Sequence, residues 1–250
     1  DIDKAARRVA EAVLAQQKIL VIGDYDADGA TSVALCKLAL AAMGAEAVEF
    51  LVPDRFRFGY GLSEAIVAIA QSRKPDLIIT VDNGISSVDG VAAANAAGID
   101  VIVTDHHLPG SELPAAYAIV NPNRQDCGFT SKSIAGVGVA YYLLSWVRHT
   151  LRERQWFDAS RRLEPNLAQF LDLVALGTVA DVVPLDRNNR ILVHQGLLRM
   201  RQGHTRPGIR ALAEIGKRDL TQLSAQDLGF SIGPRLNPPR SLEAMSVAFR

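Results

Sequence analysis

Aspartates and histidines cluster at three places in the chain, each just after a short apolar run. The runs are residues 19–22, 77–81 and 101–103, and the polar residues that follow them are Asp24, Asp26, Asp28, Asp82, Asp105, His106 and His107. A lone aspartate in such a place commonly caps the next helix, which is the simplest explanation of Asp82 taken alone. Several carboxylates in one place, however, repel one another unless cations bind between them. If the fold brings the clusters together, they predict a metal site.

The ligand types indicate which metals and which chemistry to expect. Carboxylate and imidazole without thiolate suit Mn²⁺ or Mg²⁺ better than structural zinc. Two such ions about 3.5–4 Å apart can activate water and stabilise the leaving oxygen of a phosphoryl displacement. Asp181, which ends a further apolar run, either ends a helix or completes the ligand set. The residue types therefore predict a phosphoester hydrolase with two metal ions.

Two other interpretations of the first cluster compete with this one. Asp24, Asp26 and Asp28 resemble the start of a calcium loop, but such a loop needs Glu at its twelfth position, where Leu35 stands. It also needs a helix before it, where an apolar β run is predicted. Residues 26–31 match the Asp-x-Asp-Gly-x-Thr pattern of aspartyl-phosphate phosphatases, in which Asp26 would be the nucleophile. That interpretation leaves the two histidines unexplained.

The elements that must position these residues alternate between apolar β runs and helical patterns. Strands are predicted at 19–22, 48–52, 77–81 and 101–103, and helices at 1–17, 31–43, 63–71 and 87–97. The alternation predicts an α/β fold with a doubly wound, mainly parallel sheet, in which ligands bind beyond the carboxyl ends of the strands. Later helices are predicted at 134–152, 166–179, 190–202, 207–216 and 224–232. We therefore expect an α/β metal-binding catalytic domain at 1–185 and a mostly helical connecting region at 186–250.

The composition limits the class of protein. The 250 residues are 48% hydrophobic and include 27 basic and 27 acidic side chains, which excludes a basic nucleic-acid arm or an acidic tail. This neutrality is a cancellation, because residues 1–125 carry 10 basic and 16 acidic side chains and residues 126–250 carry 17 and 11. Two cysteines without CxxC spacing, and no apolar run of membrane-spanning length, favour a soluble cytoplasmic protein. A start at Asp1 and an end inside an apolar segment favour a fragment.

Four motifs together resemble a known family. They are DYDADG at 24–29, VDNG at 81–84, DHH at 105–107 and GTVAD at 177–181. In order and spacing they resemble the DHH phosphoesterase superfamily, along residues 1 to about 237. The resemblance implies two Mn²⁺ or Mg²⁺ ions and a catalytic and metal-binding set of Asp24, Asp26, Asp28, Asp82, His106 and Asp181. Asp82 is the implied bridge between the ions.

The resemblance also implies roles for the rest of the third motif, and a branch. His107 is expected to be catalytic and to contact the scissile phosphate. Asp105 is expected to orient an imidazole by hydrogen bonding to it, without binding the metal itself. The pyrophosphatase branch of the family carries His four residues before Asp26, where this chain has Ile22, which favours the nuclease branch. The implied activity is degradation of single-stranded DNA from 5′ to 3′, to 5′ mononucleotides, in DNA repair and recombination. Single-strand-binding protein and a helicase are the implied partners, with no membrane involved.

Some residues are expected to bind the substrate phosphates. Residues 53–61 interleave arginines with aromatics, as single-strand binding sites do, although packing explains the aromatics equally well. Arg55 matches a phosphate-contacting arginine of the family. Gly136 and Gly138 open a predicted helix whose free NH groups could accept a phosphate, or they allow close helix packing.

The end of the chain matches the family only in part. Arg235 and Asn237 match a motif that lines the family's substrate path. The usual Ala-Ala-Gly-Arg continuation is replaced by Pro238-Pro239-Arg240-Ser241, so Ser241 stands where the motif has its second arginine. The family's later parts, a DHH-associated domain and an OB-fold, would lie beyond Arg250 or be absent.

Two alternatives to the exonuclease stay open. One is a DHH phosphatase or nuclease acting on short oligonucleotides or small phosphoesters, because the later domains that would grip a long strand are not in the sequence. The other is a non-catalytic DNA-binding replication scaffold of the same fold, against which the presence of all the expected ligands argues.

Overall fold

A parallel sheet of five strands forms the centre of the computed structural model, which describes residues 1–53 and 60–237. The strands are β1 (Ile19–Gly23), β2 (Val48–Leu51), β3 (Leu77–Val81), β4 (Asp100–Thr104) and β5 (Ala118–Val120). Their order is β2-β1-β3-β4-β5, and all neighbouring pairs are parallel. Because the chain leaves β1 for strands on both of its sides, a topological switch point lies between β1 and β3, where such sheets bind ligands.

Helices cover both faces of the sheet, which confirms the doubly wound fold. One face packs against α1 (Ile2–Leu14), α2 (Ala27–Ala42) and α5 (Gly136–Glu153), and the other against α3 (Glu64–Ser72) and α4 (Val88–Ala96). The strand side chains alternate accordingly: Ile19 and Val21 lie in the first core, Leu20 and Ile22 in the second. Both faces of a central parallel strand are buried, which is why residues 19–22 are continuously apolar.

A helical extension follows the sheet, as predicted. Its helices are α6 (Trp156–Ala159), α7 (Leu171–Ala180), α8 (Arg187–Arg201), α9 (Pro207–Ile215), α10 (Ala225–Asp227) and α11 (Gly233–Leu236). Helix α7 packs against α2, and α8 packs against α7. Buried Leu192, Met200 and Ile209 belong to the same core as Val9 and Leu35. The boundary at residue 185 stays a prediction, and the described residues on its two sides share one core.

The structure corrects several predicted elements. Strand β5 was missed, because three residues are too few to produce a recognisable pattern. Helix α2 begins at Ala27 and not at Thr31, since the carboxylate of Asp26 caps it by accepting the NH of Gly29 at 2.8 Å. The helix predicted at 224–232 is interrupted: α10 is followed by a π-helical turn, Leu228–Ile232. Within the described ranges, no helix combines the length and apolarity that crossing a membrane requires.

Candidate metal centre

The carboxyl ends of β1, β3 and β4 lie side by side and carry the three predicted clusters. Asp24 follows β1, Asp82 follows β3 and Asp105 follows β4. The backbone NH of Asp82 donates to the carbonyl of Thr104 at 3.0 Å, which extends the pairing of β3 and β4 into the cluster. The sheet order therefore brings residues that are distant in sequence to one edge.

Asp28 is held by the start of a helix that lies 108 residues further along the chain. Its carboxylate is 1% exposed and accepts hydrogen bonds from the NH groups of Gly136 at 2.6 Å and Val137 at 2.9 Å. The first NH groups of a helix lack partners inside the helix and attract an anion. In this protein the group that occupies the start of α5 is the carboxyl of Asp28.

The same bonds bear on the phosphate role predicted for Gly136 and Gly138. The NH of Gly136 is already donated to Asp28, and that of Gly138 to the carbonyl of Ala135 at 2.9 Å. A phosphate would have to displace both bonds, so the structure does not favour this role. Gly136 is instead required by space, because a Cβ atom there would lie 2.6 Å from Oδ1 of Asp82.

Gly177 brings the last predicted ligand close in a similar way. A Cβ atom at this position of α7 would lie 2.2 Å from Oγ1 of Thr31 and 2.9 Å from Oδ1 of Asp28. Because Gly177 has no side chain, α7 approaches α2 closely. Asp181, the C-terminal cap of α7, then lies beside the carboxylates of the sheet edge.

The turn after β3 presents Asp82 to the cluster. Asp82 adopts a left-handed backbone with φ +61°, which aspartate tolerates better than most residues. The side-chain amide of buried Asn83 donates to the carbonyls of Val81 at 2.9 Å and Ile22 at 3.2 Å, and so connects the ends of β1 and β3. Asn83 was assigned no role from the sequence, although its place in the second motif was a signal.

His106 faces two carboxylates through one ring nitrogen. Its Nε2 lies 3.2 Å from Oδ1 of Asp82 and 3.5 Å from Oδ2 of Asp181. All three atoms are buried, and none has a hydrogen-bond partner among the described residues. Unpaired buried polar atoms are costly, so three of them facing one another fit a bound cation. This is the observation that supports a metal most directly.

The electrostatics of the cluster lead to the same conclusion. Burial and repulsion from neighbouring aspartates raise the pKa of Asp28 and Asp82 well above the usual range. Burial and the charge of Asp26 raise the pKa of Asp181 to about 7. Burial, helped by the charge of His107, lowers the pKa of His106. Divalent cations would favour the ionised carboxylates that the metal-free cluster disfavours.

Among the described residues, three sets of side chains each bring their ligand atoms within 4.8 Å of one another. The sets are Asp24, Asp26 and Asp82; Asp28, His106 and Asp181; and Asp82, His106 and His107. The first two share no residue, so each could hold its own cation. Asp82 belongs to the first set and its Oδ1 contacts His106 of the second. The arrangement accommodates the two predicted ions with Asp82 between them, and the assignment of each ligand stays a prediction.

Asp105 contacts the imidazole of His107, and its orienting role stays a prediction. Its Oδ1 lies 2.7 Å from Nδ1 of His107, and its Oδ2 accepts the NH of Ile85 at 2.9 Å. Burial alone would raise the pKa of Asp105, but these hydrogen bonds hold it below its usual value, and the same contact raises the pKa of His107. The ionised Asp105 therefore accepts the Nδ1 proton. Nε2 remains the ring nitrogen that can meet a substrate oxygen.

Three residues that were not among the predicted site residues support the histidines. The hydroxyl of Tyr60 lies 3.2 Å from Nδ1 of His107 and donates to the carbonyl of Asp82 at the same distance. The amides of Asn121 and Asn123 donate to the carbonyls of His107 at 2.9 Å and His106 at 2.5 Å. The two asparagines follow β5, so they were missed together with that strand.

Two further predicted phosphate ligands, Arg235 and Asn237, lie within the described residues and bond to the protein itself. Arg235 is exposed, and its guanidinium donates to the carbonyl of Ser231. The side-chain oxygen of Asn237 accepts the NH of Ala27 at 2.5 Å, so it supports the start of α2. Arg55 and the substitution at 238–241 lie outside the described residues.

Comparisons with known proteins agree with this geometry. The sequence model of the DHH family, N-terminal domain, matches residues 18–178. The single-stranded-DNA-specific exonucleases RecJ of Dickeya dadantii and Escherichia coli are 58% and 57% identical over 98% of this chain and 43% of their own length. The chain thus spans less than half the length of these curated relatives.

Solved structures give the same result. A crystal structure of exonuclease RecJ bound to manganese matches all of this chain and 60% of its own, at 35% identity and a TM-score of 0.85. RecJ from Thermus thermophilus in complex with Mn²⁺ matches all of this chain and 34% of its own, at 33% identity and a TM-score of 0.80. With its family match and four motifs at one edge of the sheet, the chain belongs to the DHH family.

Proposed function

We propose that this chain is the catalytic core of a metal-dependent exonuclease that hydrolyses the phosphodiester bonds of single-stranded DNA. The observation that carries the proposal is the convergence of three buried, unpaired atoms, Oδ1 of Asp82, Nε2 of His106 and Oδ2 of Asp181. The names of the RecJ relatives, and the Mn²⁺ and Mg²⁺ in the names of RecJ structures, support the substrate and the metals. Degradation from 5′ to 3′ to mononucleotides belongs to the same proposal.

The residues that would hold two Mn²⁺ or Mg²⁺ ions are Asp24, Asp26, Asp28, Asp82, His106 and Asp181. When bound, such ions provide a water nucleophile at neutral pH and neutralise charge on the phosphoryl oxygens. The protein contributes preorganisation: Asp28 is fixed by two NH groups of α5, and His107 by Asp105. His107 would then donate from Nε2 to a phosphate oxygen, and Arg55 would contribute a second cationic contact.

The biological role, the location and the partners are proposed from the resemblance to the DHH family. The reaction would serve DNA repair and recombination in the cytoplasm, with single-strand-binding protein and a helicase as partners. Residues 1–125 carry an excess of acidic side chains. Two bound divalent ions would offset part of that negative charge, so the acidic half of the chain is compatible with a nucleic-acid substrate.

A digest of end-labelled DNA tests the proposal. Long single and double strands of equal length, and a dinucleotide, are incubated with Mn²⁺, Mg²⁺ or chelator, and products are resolved over time. We expect single strands alone to be shortened from the 5′ end, and only with metal. Hydrolysis of a dinucleotide but not of a long strand would favour the short-oligonucleotide enzyme. Binding of DNA without any hydrolysis would favour the scaffold.

A further inference from the structure

Val182 adopts a backbone conformation that valine rarely takes. It follows Asp181, the C-terminal cap of α7, with φ +60°. A residue at this place after a helix is commonly left-handed and is usually glycine. For a β-branched residue the left-handed region is a genuine outlier, because Cβ and its branches crowd the backbone. The chain therefore retains a strained residue beside a predicted metal ligand.

The other helix ends of the protein show how unusual this is. Five more described helices are followed by a left-handed residue that is not glycine. These residues are Gln16, Lys74, Gln155, Arg161 and Lys217. All five are polar, unbranched at Cβ and exposed. Capping a helix thus does not require valine here, and a long polar residue is this protein's ordinary solution.

Packing within the described protein does not explain the valine either. The Val182 side chain is 85% exposed, whereas its neighbour Val183 packs against the core. The apolar contact that usually accompanies such a helix end is therefore available from Val183. Val182 presents its apolar surface to solvent directly after Asp181, whose Oδ2 faces His106.

We propose that Val182 is a substrate-binding contact, which packs against the base of the nucleotide whose phosphate is bound at the metal centre. This rests on the proposed function and adds a recognition element to it. An aliphatic side chain against the face of a base does not distinguish among bases, which suits sequence-tolerant binding of a single strand. The strained backbone fixes the direction in which the side chain projects.

Val182→Gly tests the proposal because its effects on stability and on substrate should have opposite signs. Glycine relieves the strain and an exposed side chain is removed, so the melting temperature should rise by about 2–4 °C. The KM for a dT20 strand should rise about five- to tenfold, from loss of the apolar contact. Lys74→Gly is the matched control, since Lys74 has φ +50° and precedes β3, at the opposite edge of the sheet. It should raise the melting temperature less, because lysine is not branched at Cβ, and it should leave KM unchanged.

A strand of the same length built from abasic units identifies what Val182 touches. Wild type and Val182→Gly should degrade this strand with the same KM, because it has no base to contact. Val182→Ile should keep the wild-type KM on dT20. A wild-type KM for dT20 in Val182→Gly, or an equal loss on the abasic strand, would overturn the proposal.

Titration with Mn²⁺ separates a contact from a positioning role. If Val182 served only to place Asp181, Val182→Gly would bind Mn²⁺ more weakly, and that result also counts against the proposal. Binding of fluorescent dT20 in Ca²⁺ distinguishes failure of this inference from failure of the proposed function. If the wild type hydrolysed no DNA, the proposed exonuclease function would be wrong. Weaker binding of dT20 by Val182→Gly than by the wild type would still support the contact between Val182 and a base.

Discussion

Oδ1 of Asp82 lies 3.2 Å from Nε2 of His106, and neither atom forms a hydrogen bond with any described residue. The two residues follow neighbouring strands, and a left-handed turn at Asp82 directs its carboxylate toward the imidazole. A carboxylate and a neutral imidazole that face each other with no proton donor between them are arranged for a shared cation.

Replacing Asp82 by asparagine should therefore abolish function and stabilise the metal-free fold. Asparagine tolerates the left-handed backbone but binds divalent ions poorly, so Mn²⁺-dependent hydrolysis should fall at least about 100-fold. Without metal, loss of repulsion from Asp28, Asp26 and Asp181 should raise the melting temperature by about 2–4 °C. Activity assays and thermal melts in chelator measure the two effects. Exposed Asp89→Asn is the control, and undiminished turnover in Asp82→Asn would contradict the proposed site.

Most of this site could be anticipated because its ligands follow strands. A buried parallel strand has a distinctive apolar run, and the carboxyl ends of such strands share one edge, so the sequence alone places Asp24, Asp82 and Asp105 together. Asp181 does not follow a strand, so the sheet order does not place it. It lies near the other ligands because Gly177 lets α7 approach α2 closely. No local pattern encodes that contact: the apolar run left Asp181 either as a helix end or as a ligand, and the family motif favoured the ligand.

What could not be predicted is mostly the second layer around the ligands. Asn121 and Asn123 support the histidines from the segment just after a three-residue strand, which is too short to give a recognisable pattern. The NH groups at the start of the helix opened by Gly136 and Gly138 were expected either to accept a phosphate or to allow close packing, but those of Gly136 and Val137 bind the carboxylate of Asp28. Sequence predicts which groups a helix end offers, whereas tertiary packing decides what they bind.

Gly136→Ala should weaken metal binding. The new Cβ would lie 2.6 Å from Oδ1 of Asp82, so the carboxylate or the start of α5 must move. We expect Mn²⁺ affinity to fall about 10- to 100-fold, as when groups that support metal ligands are disturbed. Calorimetric titration measures it. Gly208→Ala in α9, where a Cβ has nothing within 4 Å, is the control and should bind Mn²⁺ normally. Equal Mn²⁺ affinity in Gly136→Ala and Gly208→Ala would mean that the close approach of Gly136 to Asp82 does not affect metal binding.

Asp105→Asn should impair catalysis more than metal binding. Asparagine cannot accept the NH groups of both Ile85 and His107 and also the Nδ1 proton, so the imidazole loses its orientation. We expect kcat to fall about 10- to 100-fold. The fold is checked by circular dichroism, and Asp126→Asn, at the exposed Arg124 pair, serves as the surface control. If Mn²⁺ affinity fell and kcat at saturating Mn²⁺ did not, Asp105 would serve the metal rather than His107.

Stability of the metal-free protein should fall as pH rises from about 4 to 7. In the folded chain Asp181 has a pKa of about 7, above its ordinary value of 3.8, and the pKa values of Asp28 and Asp82 are raised too. Between the unfolded-state and folded-state pKa values, the folded chain holds a proton that the unfolded chain has released. The free energy of unfolding therefore decreases as pH rises through this range. In chelator, the melting temperature should drop on the order of 5 °C across this window. Saturating Mn²⁺ should reverse the trend, because the ions bind the ionised carboxylates and release those protons. In chelator, Asp181→Asn should reduce the dependence of the melting temperature on pH. A wild-type protein whose stability rises from pH 4 to 7 without metal would contradict the prediction, because its carboxylates would then be ionised and paired in some other way.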